Sequence, residues 1–243
     1  MAHYADAKRQ LDDRGYVGPL IRGDNPLKLL DAPVRDRIIA SYYWKEQCFG
    51  LNAASLLDRA VELTYIGGTY GAAQKPTPFL CLLFKLLQLT PEKEIILFYL
   101  QQEEWKYLRA LAAFYIRLTW EKDEEVYEVL EPYLADGRKL RRRKREGWEG
   151  TFVDVFVDDL LEKGRVCGTT LPKINPRSWL EEEGRLEPRV SALGEELDLL
   201  EEEAEEEAEN EEDKEEDEGR SEEINGHSGV DYIASDEKME SGD

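Results

Sequence analysis

The sequence predicts an all-α fold: a single compact multi-helix domain between an extended N-terminal segment and a disordered acidic C-terminal tail. Three observations carry that reading. Apolar residues recur at i, i+3 and i+4 through successive segments, the period of a half-buried helix. Cap-and-proline pairs, Thr77-Pro78 and Thr90-Pro91, punctuate those segments. Charge is segregated, because residues 187–243 hold 25 of the 54 acidic and 4 of the 32 basic residues, a net −21 of the chain's −22. Residues 1–186 are nearly neutral and apolar enough to build a core. The expected organisation is an extended segment over 1–31, a helical domain over 32–180, a short helical or coiled-coil-like segment over 181–200, and the tail over 201–243.

Residues 1–31 mix Gly, Pro and charge and read as extended, with a few apolar anchors. A helix is expected from Pro33, where proline suits the first turn, through Val34, Ile38, Ile39, Tyr42 and Tyr43 to near Gly50. A second follows Asn52, a good N-cap, with Leu56, Leu57, Ala60, Val61 and Thr64 on one face. The third opens at Thr77-Pro78 and carries Phe79, Leu82, Leu83, Leu86 and Leu87. Leu80, Cys81 and Leu89 widen that stripe, which predicts a central helix. The fourth repeats the device at Thr90-Pro91, with Glu92 and Glu94 near the positive end of the dipole. A fifth spans about Glu104 to Trp120, with Trp105, Leu108, Leu111, Ala112, Tyr115 and Leu118 inward and Lys106, Arg109 and Arg117 on the opposite, solvated face. The sixth buries Val126, Val129, Leu130, Tyr133 and Leu134 and stops at Gly137. The basic stretch "RKLRRRKREGWEG" reads as a polar break. "TFVDVFVDDLLEKG" mixes β-branched residues with acids at Asp154, Asp158 and Glu162, whose i, i+4, i+8 spacing favours a helix with an acidic face. "RVCGTTLPKINP" reads as extended. Leu186, Val190, Leu193, Leu197 and Leu200 follow a coiled-coil seam, two heptads that need support from elsewhere. The tail has too few apolar side chains to offset the entropy of ordering.

Chemistry is scarce. The stretch "YIGGTYGAAQKPT" suggests a phosphate cradle, but Lys75 follows Gln74 and Pro76 separates it from Thr77, which breaks the phosphate-loop spacing. The glycines Gly67 and Gly68 instead suit the left-handed end of a helix. His3 and His227 are the only histidines, so the body has no imidazole for base catalysis or metal ligation. Asp154, Asp158, Asp159 and Glu162 could hold magnesium, yet acids at this spacing are usually a solvated face. Cys48, Cys81 and Cys167 are widely spaced, which fits neither a disulfide framework nor a zinc site and suits a reducing compartment. No cofactor is expected. The longest apolar run, "PFLCLLF", falls far short of the ~20 residues that cross a bilayer, and no signal peptide is evident.

Surfaces remain. Seven of the eight residues from Arg138 to Arg145 are basic: Arg138, Lys139, Arg141, Arg142, Arg143, Lys144 and Arg145. Such a run could contact RNA phosphates with Trp148 as a stacking ring, dock acidic partners, direct nuclear import, or be a solvated loop. Tyr42, Tyr43, Trp44, Tyr70, Trp105, Tyr107 and Trp120 are candidate partner-binding rings, since the aromatics exceed what one small core readily hides. The acidic tail could mimic nucleic acid, bind basic proteins, or confer solubility.

The motifs "YWKEQCFGL", "YIGGTYG", "KPTPFLCLLFKLLQL", "KYLRALAAFYIRLT", "VLEPYLADGRKLR", "VDVFVDDLLEKGRVCGTTLPKI" and "LEPRVSALGEEL" closely resemble the pre-mRNA-splicing factor 38 family over roughly residues 25–197. The resemblance implies an all-helical, non-enzymatic nuclear protein that scaffolds the pre-catalytic spliceosome. It implies a need for the protein at the activation that separates U4 from U6 RNA, in the U4/U6.U5 tri-snRNP context. The implied partners are helical segments of a zinc-finger splicing protein and the microfibrillar-associated splicing factor. Animal members carry Arg/Ser-rich C-terminal extensions, whereas here only Arg220-Ser221 resembles one.

Overall fold

The computed structural model describes residue 16, residues 18–189, and residues 193, 194, 199 and 200. Two units divide the chain, Met1–Glu187 and Pro188–Asp243. In the first, helices α1 (Ala32–Ala40), α2 (Ala53–Val61), α3 (Pro78–Leu89), α4 (Lys93–Gln101), α5 (Lys106–Thr119), α6 (Asp123–Leu130), α7 (Val153–Glu162) and α8 (Arg177–Glu182) form the bulk. Short strands lie among them: β1 (Ile66–Gly67), β2 (Thr69–Tyr70), β3 (Lys75–Pro76), β4 (Lys139–Arg143), β5 (Trp148–Phe152), β6 (Arg165–Val166) and β7 (Thr169–Thr170). The expected all-α fold is therefore mostly helical but not purely so. One sheet has the order β1-β4-β5, with β1 parallel and β5 antiparallel to β4, and β2–β3 and β6–β7 are small hairpins.

The N-terminal segment is anchored rather than merely extended. Asn25 caps a 3₁₀ turn over Pro26–Leu29, and Leu27 and Leu30 enter the core. Arg22 reaches across to donate to the Trp120 carbonyl. The first predicted helix breaks at Ser41. Its hydroxyl donates to the Ile38 carbonyl at 2.6 Å and accepts from the Trp44 amide at 3.2 Å, taking up groups that a continuous helix would pair. A π-helical turn over Trp44–Cys48 follows.

Asn52 caps α2 in a reciprocal box with Ser55, as its position predicts. Helix α3 is central: every residue from Phe79 to Leu87 is buried, Lys85 included. Phe79 on α3, Phe114 on α5 and Phe156 on α7 meet at centroid separations of 6.0 to 6.4 Å. The N-cap Thr77 is fully buried; its hydroxyl accepts from the Leu80 amide and donates to the Gly67 carbonyl at 2.6 Å. Removing it leaves a helix amide and a strand carbonyl without partners. Thr77→Val is expected to cost about 2 kcal/mol, with Thr77→Ser restoring most of it, as read from urea midpoints. Thr90 does not cap α4; it closes α3 in a left-handed conformation, its amide bonded to the Leu86 carbonyl, and α4 starts after Glu92.

Helix α5 departs most from expectation. Arg109 and Arg117 are buried, not solvated. Arg109 Nε donates to the Leu100 carbonyl at the end of α4, and Arg117 donates to the carbonyls of Leu160, in the last turn of α7, and Pro172. Each cation thus satisfies carbonyls that a helix terminus leaves unpaired. Trp105, expected inward, is exposed.

The basic stretch is a hairpin rather than a polar break, and Val153–Glu162 is helical with Asp158 and Glu162 exposed, as their spacing predicts. The glycine pair does not end a helix, since α2 stops at Val61. It lies at β1, where the backbone passes against the tight β6–β7 turn formed by Cys167 and Gly168, both at positive φ. Leu186 of the predicted seam is buried and Leu193 and Leu200 are exposed, while Val190, Leu197 and the tail from residue 201 lie outside the described residues. Among the described residues no helix is long and apolar enough to cross a membrane.

Candidate functional site

Strand alternation sorts the seven cations of the basic stretch into two sets. Side chains at 140 and 142 face inward. Leu140 is buried, and Arg142 bonds Asp159 at 3.0 Å, whose other oxygen is held by Lys163. Just before the strand, Arg138 engages Asp136 at 2.5 Å, and just after it Lys144 pairs with Glu149 at 2.6 Å. Lys139, Arg141 and Arg143 face outward, with Arg145 beyond them, and none of these four has a carboxylate partner among the described residues.

The partner strand supplies rings to the same face. Trp148 lies opposite Arg143, Gly150 opposite Arg141, and Phe152 opposite Lys139. The side-chain-free Gly150 lets the Trp148 ring reach diagonally. Its centroid lies 4.6 Å from the Arg141 guanidinium and 4.8 Å from that of Arg143. Tyr65, just before β1, meets Trp148 edge-on at 5.1 Å, and Arg143 also covers Tyr70 at 5.1 Å. Trp148 nonetheless stays 52% exposed. The strand is also held along the edge that β1 leaves uncovered, where the Arg141 amide donates to the Tyr107 hydroxyl and Lys106 to the Lys139 carbonyl. Cation–ring contact leaves a guanidinium charged and its outer N–H groups free.

The candidate partner-binding rings separate into exposed and interior ones. Tyr42 is 75% exposed and Trp105 is 40% exposed, whereas Tyr43, Tyr70 and Tyr107 are half-buried. Trp44 is interior, its ring tilted against Phe84 at a centroid separation of 5.1 Å, and Trp120 is buried beneath the Lys93 ammonium at 4.5 Å. Trp44 cannot meet a partner without the core opening, whereas Trp120 shows only an edge. Exposed rings at Phe49, Phe98 and Trp179 were not among the candidates. Phe98 was readable: Ile96, Tyr99 and Leu100 turn inward, which leaves it alone on the polar side of α4. A groove of about 500 Å³ runs between Leu20 and Ile21 of the N-terminal segment and Ile96, Tyr115, Trp120 and Lys122.

The titratable interior is structural. Burial pushes the Cys48 thiol up to about 12 and Cys167 up to about 11, and also raises Cys81. All three are free, buried and protonated at neutral pH, which is unreactive cysteine. Burial raises the Asp136 carboxyl, but hydrogen bonds from Arg138 and Arg109 outweigh it and hold the group down at about 2. Asp159, one of the four acids considered for metal, is committed to Arg142 and Lys163. No metal-binding cluster of His, Cys, Asp or Glu occurs among the described residues. The surfaces offer shape, rings and cations without carboxylate partners among the described residues.

Comparison with known proteins matches residues 20–184 to the PRP38 family. Pre-mRNA-splicing factor 38 of Schizosaccharomyces pombe is 58% identical over 163 residues, 67% of this chain and 77% of that protein. The Drosophila melanogaster protein of the same name is 50% identical over 179 residues, 73% of this chain, and pre-mRNA-splicing factor 38A of Homo sapiens is 48% identical over 182 residues, 74% of this chain. The match spans only 54% and 58% of those two proteins' own lengths. Among solved structures, a chain in the crystal structure of the Snu23-Prp38-MFAP1 complex of Chaetomium thermophilum superposes with a TM-score of 0.71 at 55% identity. That likeness covers 77% of this chain and 98% of the other.

Proposed function

This chain belongs to the PRP38 family, and from that premise we propose that it is a non-enzymatic scaffold of the pre-catalytic spliceosome. It acts in the nucleus during pre-mRNA splicing, at the activation that removes U4 RNA from U6. It grips helical segments of a zinc-finger splicing protein and the microfibrillar-associated splicing factor. One observation carries the reading: a 55% identical relative, matched over 98% of its chain, is crystallised in a complex with Snu23 and MFAP1. Large rings left outside a well-filled core, Tyr42, Phe49, Phe98 and Trp105, are the groups that an amphipathic helix would cover with side chains at i, i+3, i+4 and i+7.

Calorimetry and size exclusion of the full chain with Snu23 and with the MFAP1 segment test it. A Kd of about 1 μM or tighter is expected. Tyr42→Ala and Trp105→Ala are each expected to weaken one of the two partners about tenfold, the scale of a buried aromatic anchor, at unchanged Tm. Trp44→Ala should instead lower Tm by opening a core cavity. Absence of both binding heat and co-elution at millimolar concentration would remove the scaffold reading.

A further inference from the structure

We propose that the outward face of the β1-β4-β5 sheet binds single-stranded RNA, with Lys139, Arg141, Arg143 and Arg145 on the phosphates and Trp148 and Phe152 beside the bases. This goes beyond the scaffold reading and uses different residues, so either can fail alone.

Charge identifies the site. Of seven clustered cations, three are already matched by carboxylates: Arg138 by Asp136, Arg142 by Asp159, and Lys144 by Glu149. The remaining four lie on or beside one face and have no carboxylate partner among the described residues. Alternate strand residues repeat every ~7 Å, so Lys139, Arg141 and Arg143 present an evenly spaced cationic row. Such a row suits the successive phosphates of an extended strand.

The rings specify the kind of polyanion. Arg141 and Arg143 lie over Trp148, Arg143 also lies over Tyr70, and Tyr65 braces the indole from its edge. The guanidinium planes are therefore set before any ligand arrives, which lowers the entropic cost of ordering them. Splayed bases stack on aromatic rings and on guanidinium planes alike. Phe152, opposite Lys139 and 39% exposed, extends this surface along β5. An acidic peptide would satisfy the cations, but its carboxylates bring no aromatic face to stack on Trp148 and Phe152. A duplex keeps its bases stacked and unavailable.

The test is fluorescence anisotropy of the full chain with fluorescein-labelled oligouridine over a salt series. The affinity is expected to fall with a slope of about −0.7 per phosphate contacted, so near −3 for four cations. Arg141→Gln with Arg143→Gln should weaken binding at least about tenfold at low salt and roughly halve that slope. Trp148→Ala should weaken it about tenfold, the scale of one lost base stack. The pair Lys45→Gln with Lys173→Gln, equal in charge change and remote in sequence, should have little effect. In the unaltered protein, oligouridine should slow phenylglyoxal modification of Arg141 and Arg143, a readout that needs no variant to fold. Absence of binding at the lowest salt would overturn the proposal, as would equal losses in the two double variants or unchanged modification rates. Displacement of the RNA by polyglutamate at equal charge concentration, with Trp148→Ala inert, would reassign the face to an acidic protein segment.

Discussion

Gly68→Ala is expected to destabilise the protein by about 3–5 kcal/mol, a large share of the ~5–15 kcal/mol that holds a typical domain folded. A methyl group at this position would lie 2.6 Å from the Cys167 carbonyl carbon and closer still to its oxygen. The obstacle is backbone, not a flexible side-chain end, so relief requires the β6–β7 turn to move as a unit. That turn is tight, with Cys167 at φ 49° and Gly168 at φ 76°, and Cys167 is buried beside Arg142. Displacing it disturbs the inner face of the same sheet whose outer face carries Trp148. Gly147→Ala is the control: nothing lies within 4 Å of a Cβ there, and the change should be nearly neutral. Urea unfolding at neutral pH reads both. A cost below about 1 kcal/mol for Gly68→Ala would mean that the two backbones do not pack so closely.

Asp136→Asn should cost a similar amount, about 3–5 kcal/mol, because it leaves Arg109 buried without its carboxylate. Both side chains of that pair are only 10% exposed, with the oxygen 2.6 Å from the guanidinium. The same carboxylate holds Arg138, and the Asp136 carbonyl accepts from the Asp154 amide where α7 begins. The residue therefore joins α5, the entry to β4 and the start of α7. Its folded pKa is depressed to about 2, against about 3.9 for an unfolded aspartate. The stabilisation it supplies is thus complete above pH ~4 and is lost as pH falls from there through 2. Linkage sets that part at about 2–3 kcal/mol. The substitution costs more than the linkage because it also orphans a buried cation. Unfolding free energies of the two proteins should converge as pH drops from 5 towards 2. A parallel fall would place the acid-sensitive group elsewhere.

Local chemistry in the chain determined most of the helices. A period of 3.6 and a cap are read within four or five neighbouring residues, which is why Asn52 and Thr77 mark true helix starts and why α3 was identifiable as central. The family was legible too, from long motifs in register. Tertiary structure decided which charged and aromatic side chains are available. Arg109 and Arg117 sit opposite an apolar stripe, and only the arrival of the α4 and α7 carbonyls makes that face interior. Tyr42 and Trp44 are two residues apart, yet a turn nucleated by Ser41 exposes one and buries the other. The basic stretch has no apolar alternation to announce a strand, since cations occupy its outer face and Leu140 with Arg142 its inner one. Its strand forms because β1 and β5 pair with it. Pairing across dozens of residues, and the carboxylate that each cation finds there, depend on where distant segments come together in space, which short-range sequence pattern does not encode.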